Sequence, residues 1–139
     1  MRWLVDTNVI SELSKPAPNP RVVKWVDDNE RDGLWLSAIT VAELLTGLAE
    51  LPDGKRKTEL SELVNELMAR YQATRVYFDD DAAQKYAEIV TSRKRRGRPM
   101  EVFDAQIASI AVSNGLTLAT MNTKDFEGID GLTVVDPSH

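Results

Sequence analysis

The chain has no cysteine, and its single histidine, His139, is the last of its 139 residues. The absence of cysteine excludes disulfides, thiolate nucleophiles and cysteine-zinc sites. A lone histidine at a chain end, where segments are usually mobile, disfavours imidazole catalysis and multi-histidine metal sites. The sequence also has no Gly-x-Ser-x-Gly elbow and no Ser-x-x-Lys pair in a suitable context. Carboxylates are therefore the best remaining candidates for catalytic groups.

Long hydrophobic runs are also missing. No apolar stretch approaches the roughly 18 residues of a membrane-spanning helix. The chain reaches Asp6 after a very short apolar segment, which leaves no room for a secretory signal, so we expect a cytoplasmic protein. A length of 139 residues with 42% hydrophobic content suits one compact domain, residues 1–139, around a single core.

The net charge of −5 by itself disfavours a nucleic-acid partner, because phosphate binding needs local positive charge. The charge is unevenly distributed, however, since five of the 17 basic residues fall in one short window. These five are Arg93, Lys94, Arg95, Arg96 and Arg98. We interpret them as candidate contacts to a nucleic-acid backbone. Cations in the last turn of a helix also favour the helix dipole, so a structural role for part of the window stays open.

Hydrophobic periodicity and turn residues predict strands that alternate with helices. The predicted strands are 2–5, 34–36, 75–78, 116–119 and 132–135. The predicted helices are 7–15, 20–33, 40–51, 55–71, 80–96 and 102–114. This alternation indicates an α/β fold of three layers, with a mainly parallel sheet of four or five strands flanked by helices.

Acidic and amide side chains stand where several of these elements begin or end. Asp6 closes the first strand, and Asn122 and Asp125 follow the fourth; Glu43 and Asp104 lie in the predicted first turns of two helices. In open parallel sheets, ligands bind at the carboxyl ends of the strands, where the strand order reverses. Clustered carboxylates without nitrogen or sulfur ligands select a hard ion such as Mg²⁺ or Mn²⁺. Because such an ion activates water, the pattern predicts phosphodiester hydrolysis.

Some of these acids also have purely structural explanations. Thr40 and Glu43 fit a capping box, and Asp104 in a first helical turn would favour the dipole. Asp6 is harder to explain in this way, because a charge directly after a short buried strand rarely serves stability. The aspartate run 79–81 we assign to capping of the helix that follows it.

Four motifs together resemble the PIN-domain family, with the closest likeness to VapC and FitB-like toxins. They occur in the family's order from Asp6 to Phe126, which is nearly the whole chain. The motifs are Leu4-Val-Asp6-Thr-Asn8, Ser37-Ala-Ile-Thr40-Val-Ala-Glu43-Leu44, Phe103-Asp104-Ala-Gln-Ile107-Ala108 and Leu118-Ala-Thr120-Met-Asn122-Thr-Lys-Asp125-Phe126.

The resemblance implies an endoribonuclease that depends on Mg²⁺ or Mn²⁺ and acts as the toxin of a type II toxin-antitoxin pair. It implies that a protein antitoxin binds this chain and that the chain forms a homodimer. The residues matching Asp6, Glu43 and Asp104 form the family's metal-binding triad, and Asn122 matches a fourth acid or its amide. Arg93 to Arg98 would then contact the RNA backbone.

The resemblance also implies that other residues support the metal site. Asn8 and Thr120 match polar positions around the metal, and Asp125 either takes over the fourth acid's role or caps the following turn. Many relatives have arginine where this chain has Met121, so one substrate contact is expected to be missing.

Two alternatives stay open. A phosphorelay receiver domain is also a small α/β fold with acids around Mg²⁺, and the run 79–81 could imitate its phospho-acceptor. It would need an adjacent acid pair after the first strand, whereas Thr7 follows Asp6. The second alternative is a non-catalytic PIN-fold binding module, which the uncharged Asn122 makes conceivable. Three retained carboxylates without a metal would, however, destabilise it by repulsion.

Overall fold

The computed structural model describes residues 1–139, and its centre is one five-stranded sheet. The strand order is β3-β2-β1-β4-β5, and every neighbouring pair is parallel. The predicted α/β class and parallel sheet are confirmed. The strands are β1 (Trp3–Val5), β2 (Leu34–Ser37), β3 (Arg75–Val76), β4 (Thr117–Ala119) and β5 (Val134–Val135).

Six α-helices and one short 3-10 helix connect these strands. They are α1 (Thr7–Leu13), α2 (Pro20–Gly33), α3 (Ala38–Glu50), α4 (Lys55–Arg70), α5 (Asp80–Arg95), α6 (Val102–Ser113) and the 3-10 helix Thr123–Phe126. No helix has both the length and the apolar character needed to cross a membrane.

Two clusters of buried apolar side chains hold the layers together. Leu4 of β1 packs in one cluster, while Trp3 and Val5 of the same strand pack in the other. Successive side chains of a strand point to opposite faces, so the sheet separates the two clusters. Leu118 of β4 belongs to the first cluster and Leu36 of β2 to the second.

Local sequence signals account for most helix starts. Asn19 caps α2 by accepting from Arg21 N at 2.9 Å, and Pro20 occupies the first helical position. Asp79 caps α5 by accepting from Ala82 N at 3.0 Å, so the capping role predicted for the aspartate run is confirmed.

The predicted N-cap of α3 was wrong by three residues. Ser37, and not Thr40, is the N-cap: its hydroxyl accepts from Thr40 N at 3.1 Å. Ser37 ends β2 with an extended backbone, which places its hydroxyl over the first helical turn. Thr40 and Glu43 therefore form no capping box, and Glu43 lies in the second turn of α3 instead of the first.

The two edge strands are shorter than predicted. β3 and β5 have two residues each, whereas four were predicted for both. Each pairs with a single neighbour, β2 or β4, so only one side of the strand is held by the sheet.

The strand order identifies the edge where a ligand would bind. The chain runs outward from β1 to β2 and β3, and returns to the other side of β1 with β4 and β5. The order therefore reverses between β1 and β4, which is where open α/β sheets form their crevice. Receiver domains have the order 2-1-3-4-5. The receiver alternative is excluded by this topology.

Candidate metal centre

A groove of about 410 Å³ opens at the carboxyl edge of the sheet, beside the ends of β1 and β4. Asp6, Glu43, Asp104 and Asn122, the four residues predicted to act on the metal, all line it. The complete lining is Asp6, Thr7, Asn8, Ser11, Glu12, Lys15, Glu43, Asp104, Met121 and Asn122. Residues from four separate parts of the sequence thus converge where β1 and β4 end.

Asp6 is the most tightly held of these side chains and is only 4% exposed. Its Oδ1 accepts from Thr7 N at 2.8 Å, and its Oδ2 accepts from the Thr120 hydroxyl at 2.8 Å. Burial raises the pKa of Asp6, and these two hydrogen bonds oppose the rise by stabilising the carboxylate. The two bonds fix the orientation of the carboxylate at the end of β1.

Thr120 connects the polar side chains around Asp6. Its fully buried hydroxyl accepts from Asn8 Nδ2 and from Asn122 N, both at 3.1 Å, while it donates to Asp6. Asn8 Oδ1 in turn accepts from Met121 N at 3.2 Å. These contacts tie the first turn of α1 to the segment after β4. The structure therefore places Asn8 in the lining of the groove and Thr120 directly behind it.

Glu43 reaches the groove from α3. Its Oε1 accepts from the Thr7 hydroxyl at 2.7 Å, and that hydroxyl lies 3.0 Å from the hydroxyl of Thr40. Partial burial raises the pKa of Glu43, and the negative charges of Asp6 and Glu101 add to the rise.

Asp104 is the third residue of α6, where its own backbone N donates to the carboxylate of Glu101 at 3.1 Å. The pKa of Asp104 is raised to about 6, first by burial and then by the charge of Asp6, followed by three further acids. The further acids are Glu101, Asp125 and Glu43. The groove is thus a region of concentrated negative charge that opposes ionisation of its own side chains.

The donor set fits a hard divalent cation, although the carboxylates are not at coordination distance. No three acidic side chains are close enough together, in their present rotamers, to hold one ion. Asp6 is fixed, so Glu43 and Asp104 would have to rotate towards it, and both are only half-buried. Their oxygens, the amide of Asn122 and the mutual repulsion suit Mg²⁺ or Mn²⁺.

The sequence interpretation missed three groove residues in and just after α1. Ser11 and Glu12 of α1 lie three and four residues after Asn8, and Lys15, two residues beyond the helix, continues this spacing, so all three face the groove with Asn8. Asn8 is predicted from the sequence, and the helical spacing from it is the signal that identifies the other three. Lys15 is the only basic residue of the lining, and its Nζ lies 2.9 Å from Glu12 Oε1.

Asp125 lies outside the lining and is exposed. It is the third residue of the 3-10 helix Thr123–Phe126, and that helix has no side-chain cap at its start. Its charge nevertheless raises the pKa of both Asp6 and Asp104.

The basic window does not form one charged surface, and Arg93 was wrongly included as a backbone contact. Arg93 is only 5% exposed, and its guanidinium donates to three backbone carbonyls. Arg96 and Arg98 are exposed, yet each also donates to a carbonyl of the segment 124–128. Lys94 and Arg95 are exposed on the last turn of α5.

Known proteins are similar to this chain along nearly its whole length. The family model of the PIN domain matches residues 3–132. The VapC ribonuclease Y4jK of Sinorhizobium fredii is 41% identical, with 96% of each protein covered. Toxin FitB of Neisseria gonorrhoeae is 42% identical, with 98% of each covered. A chain of the structure of FitAB bound to the IR36 DNA fragment superposes with a TM-score of 0.92 at 38% identity, covering 100% of this chain and 96% of that one. The chain belongs to the PIN-domain family.

Proposed function

We propose that this protein is an endoribonuclease that depends on Mg²⁺ or Mn²⁺ and serves as the toxin of a type II toxin-antitoxin system. The proposal depends on one observation: Asp6, Glu43, Asp104 and Asn122 line a single groove at the point where the strand order reverses. The relatives named as a VapC ribonuclease and as a toxin support it. The cytoplasm is the compartment that we infer for such an activity.

The residues that line this groove would have different roles in binding the cation. Asp6, fixed by Thr7 and Thr120, would anchor the cation, and Glu43 and Asp104 would complete its carboxylate ligands. Asn122 would offer an amide oxygen. When bound, the ion activates a water for attack on phosphorus and stabilises the departing oxygen. Because the acids already repel one another, a phosphodiester can enter the groove only when a cation offsets their charge.

The RNA backbone would contact the groove through Lys15. This residue is exposed just after α1, and its ion pair with Glu12 leaves two of the ammonium's three donors for phosphate oxygens. Lys94 and Arg95 would contact the phosphate backbone of the RNA farther from the cleavage site. With Met121 in the lining, no arginine competes with Lys15 for this role.

The partner that we propose is a protein antitoxin, and the FitAB complex is the precedent among similar structures. A second groove, of about 240 Å³, lies between α1, α3 and α4, and eight of its 13 lining residues are hydrophobic. It shares Thr7, Ser11 and Glu43 with the metal groove. An antitoxin segment seated there would lie against Glu43, one of the proposed metal ligands.

The antitoxin site can be tested with two leucines of α3. Leu48 lines the apolar groove, whereas Leu45 is 41% exposed and lies outside the lining. Leu48→Asp should abolish inhibition of RNA cleavage by the co-expressed antitoxin, and Leu45→Asp should leave it intact. Equal inhibition of both variants would place the antitoxin elsewhere. Light scattering on the free protein would test the homodimer, which we also propose.

The catalytic assignment is tested by cleavage of a mixed RNA pool in the presence of Mn²⁺. The wild type should cut the RNA, and Mn²⁺ should raise its Tm, because a ligand of the folded state must stabilise it. Asp6→Asn should lose both effects. Asp27→Asn, a change of the same kind at an exposed position of α2, is the matched control. A wild type that neither cuts RNA nor responds to Mn²⁺ would favour the non-catalytic module.

A further inference from the structure

Arg93 is a buried cation that the proposed reaction does not use. It lies in the last turn of α5, and its guanidinium donates from Nε to Arg98 O at 2.8 Å. Its Nη1 donates to the carbonyls of Asp125 and Glu127, at 3.2 and 3.3 Å. A buried charge is costly to desolvate unless it is well hydrogen-bonded, and here backbone carbonyls provide the bonds. The position of Arg93 is therefore linked to a segment more than 30 residues later.

Two further arginines hold the same segment from outside. Arg96 Nη1 donates to Gly128 O at 2.8 Å, and Arg98 Nη2 lies 3.5 Å from Lys124 O. Gly128 has a positive φ of 73°, and a Cβ there would lie 2.7 Å from Arg96 Nη1. The carbonyls of residues 124, 125, 127 and 128 thus all face the end of α5.

Hydrogen bonds within the segment and burial of one side chain also restrain it. Inside the 3-10 turn, Asp125 N donates to Asn122 O at 3.1 Å, and Glu127 N donates to Lys124 O at 3.4 Å. Phe126 is the one buried side chain of the turn. The arginine contacts from the end of α5 therefore act together with the buried Phe126 in fixing the backbone after Asn122.

This backbone carries two groups that act on the metal groove. Asn122 lines the groove, and its backbone N donates to Thr120, which holds Asp6. Asp125 is a carboxylate of the same turn that lies close enough to Asp6 and Asp104 for its charge to repel theirs. A shift of the 3-10 turn would move both groups relative to the two acids.

We propose that Arg93 is a positioning residue for the metal centre: by binding the carbonyls of Asp125 and Glu127, it holds the turn that presents Asn122 to the groove. This inference rests on the proposed metal-dependent nuclease function and assigns Arg93 a role other than RNA binding. Lysine cannot replace it, because a single ammonium lacks the planar fork that reaches three carbonyls from fixed directions.

The test compares Arg93→Lys with Arg95→Gln, an exposed neighbour on the same helical turn. For each variant, Mn²⁺ affinity is measured by calorimetry, and kcat, KM and the salt dependence of RNA binding are measured on the same RNA. Arg93→Lys should weaken Mn²⁺ binding by about 10–100-fold, as loss of a group supporting metal ligands does, and should lower kcat. Its KM and its salt slope should match the wild type.

The control should give the reverse pattern. Arg95→Gln should raise KM and lower the salt slope by about 0.7, the value for one phosphate contact on a single strand, and should leave Mn²⁺ affinity unchanged. Guanidinium chloride at a sub-denaturing concentration should restore Mn²⁺ binding to Arg93→Ala, because the free ion fits the vacated space. A folded Arg93→Lys with wild-type Mn²⁺ affinity and kcat would overturn the proposal.

Failure to fold would not end the test. If Arg93→Lys is unfolded, Arg96→Met can be used instead. It removes the hydrogen bond from Arg96 to Gly128 O and so tests a second contact that holds the same turn. It should weaken Mn²⁺ binding by a smaller factor, and an unchanged affinity would then overturn the proposal. The wild type separates this result from failure of the nuclease function itself. If it binds Mn²⁺ and cuts RNA, only the role of Arg93 is in question.

Discussion

The hydroxyl of Thr120 donates to Asp6 Oδ2 at 2.8 Å and so joins residues 114 positions apart in the sequence. Thr120→Val keeps the shape of the side chain but removes this donor, and it leaves Asn8 Nδ2 and the Asn122 backbone N without their acceptor. We expect a loss of about 1–3 kcal/mol in the free energy of unfolding. We also expect Mn²⁺ affinity to fall about 10–100-fold.

Urea denaturation and calorimetry would measure these two effects. Thr120→Ser is the matched control, since it keeps the hydroxyl and loses only a methyl group. It should bind Mn²⁺ nearly as tightly as the wild type. Wild-type Mn²⁺ affinity in Thr120→Val would show that Asp6 does not depend on this hydrogen bond for its orientation.

Asp104→Asn should stabilise the metal-free protein while abolishing the response to Mn²⁺. The Asp104 carboxylate is disfavoured by burial and by the charges of its neighbours, of which Asp6 is the strongest. Removing the charge should raise the free energy of unfolding by about 1 kcal/mol at neutral pH, after allowance for solvent screening at this half-exposed position. Thermal melts with and without Mn²⁺ would measure both effects. A metal-free variant less stable than the wild type would contradict the repulsion argument.

The sequence was sufficient to locate Asp6, because a charge directly after a short apolar strand can be recognised without coordinates. Glu43 was correctly expected near the groove, but its predicted structural context was wrong. The Thr-x-x-Glu pattern fits a capping box, yet the helix begins earlier, at the Ser37 cap. Two capping residues lie close together here, and only the end of β2 decides between them.

The charge pattern could not predict that the Arg93 side chain is buried and not exposed to solvent. Five basic residues in one window suggest a solvated surface, and burial of one of them depends on carbonyls of the 3-10 turn. The short edge strands could not be predicted for a similar reason. Apolar residues around β3 and β5 suit a strand, but their pairing with a single neighbour ends after two residues.

Tyr71 should make the stability fall in alkaline solution. Its hydroxyl donates to Glu30 Oε1 at 3.1 Å, and burial, followed by the Glu30 charge, raises its pKa from 10.0 to about 12. The folded state therefore favours the neutral phenol. This contribution is complete below pH 10 and is lost as the pH rises through 12. Between these values the wild type should lose about 1 kcal/mol more than Tyr71→Phe, after discounting for partial exposure. Parallel curves for the two proteins would contradict this assignment.

Lys15→Gln should weaken RNA binding without changing the chemical step. Lys15 is the only basic residue that lines the metal groove, so its loss should raise KM several-fold and lower the salt slope of RNA binding by about 0.7. Mn²⁺ affinity and kcat should stay near the wild-type values, because Glu12 keeps its bond to Asn19 N. Lys24→Gln removes a similar ion pair, with Asp28, on the exposed face of α2, outside the groove. If both variants change KM equally, the effect of Lys15 is one of net charge and not of its position beside the catalytic acids.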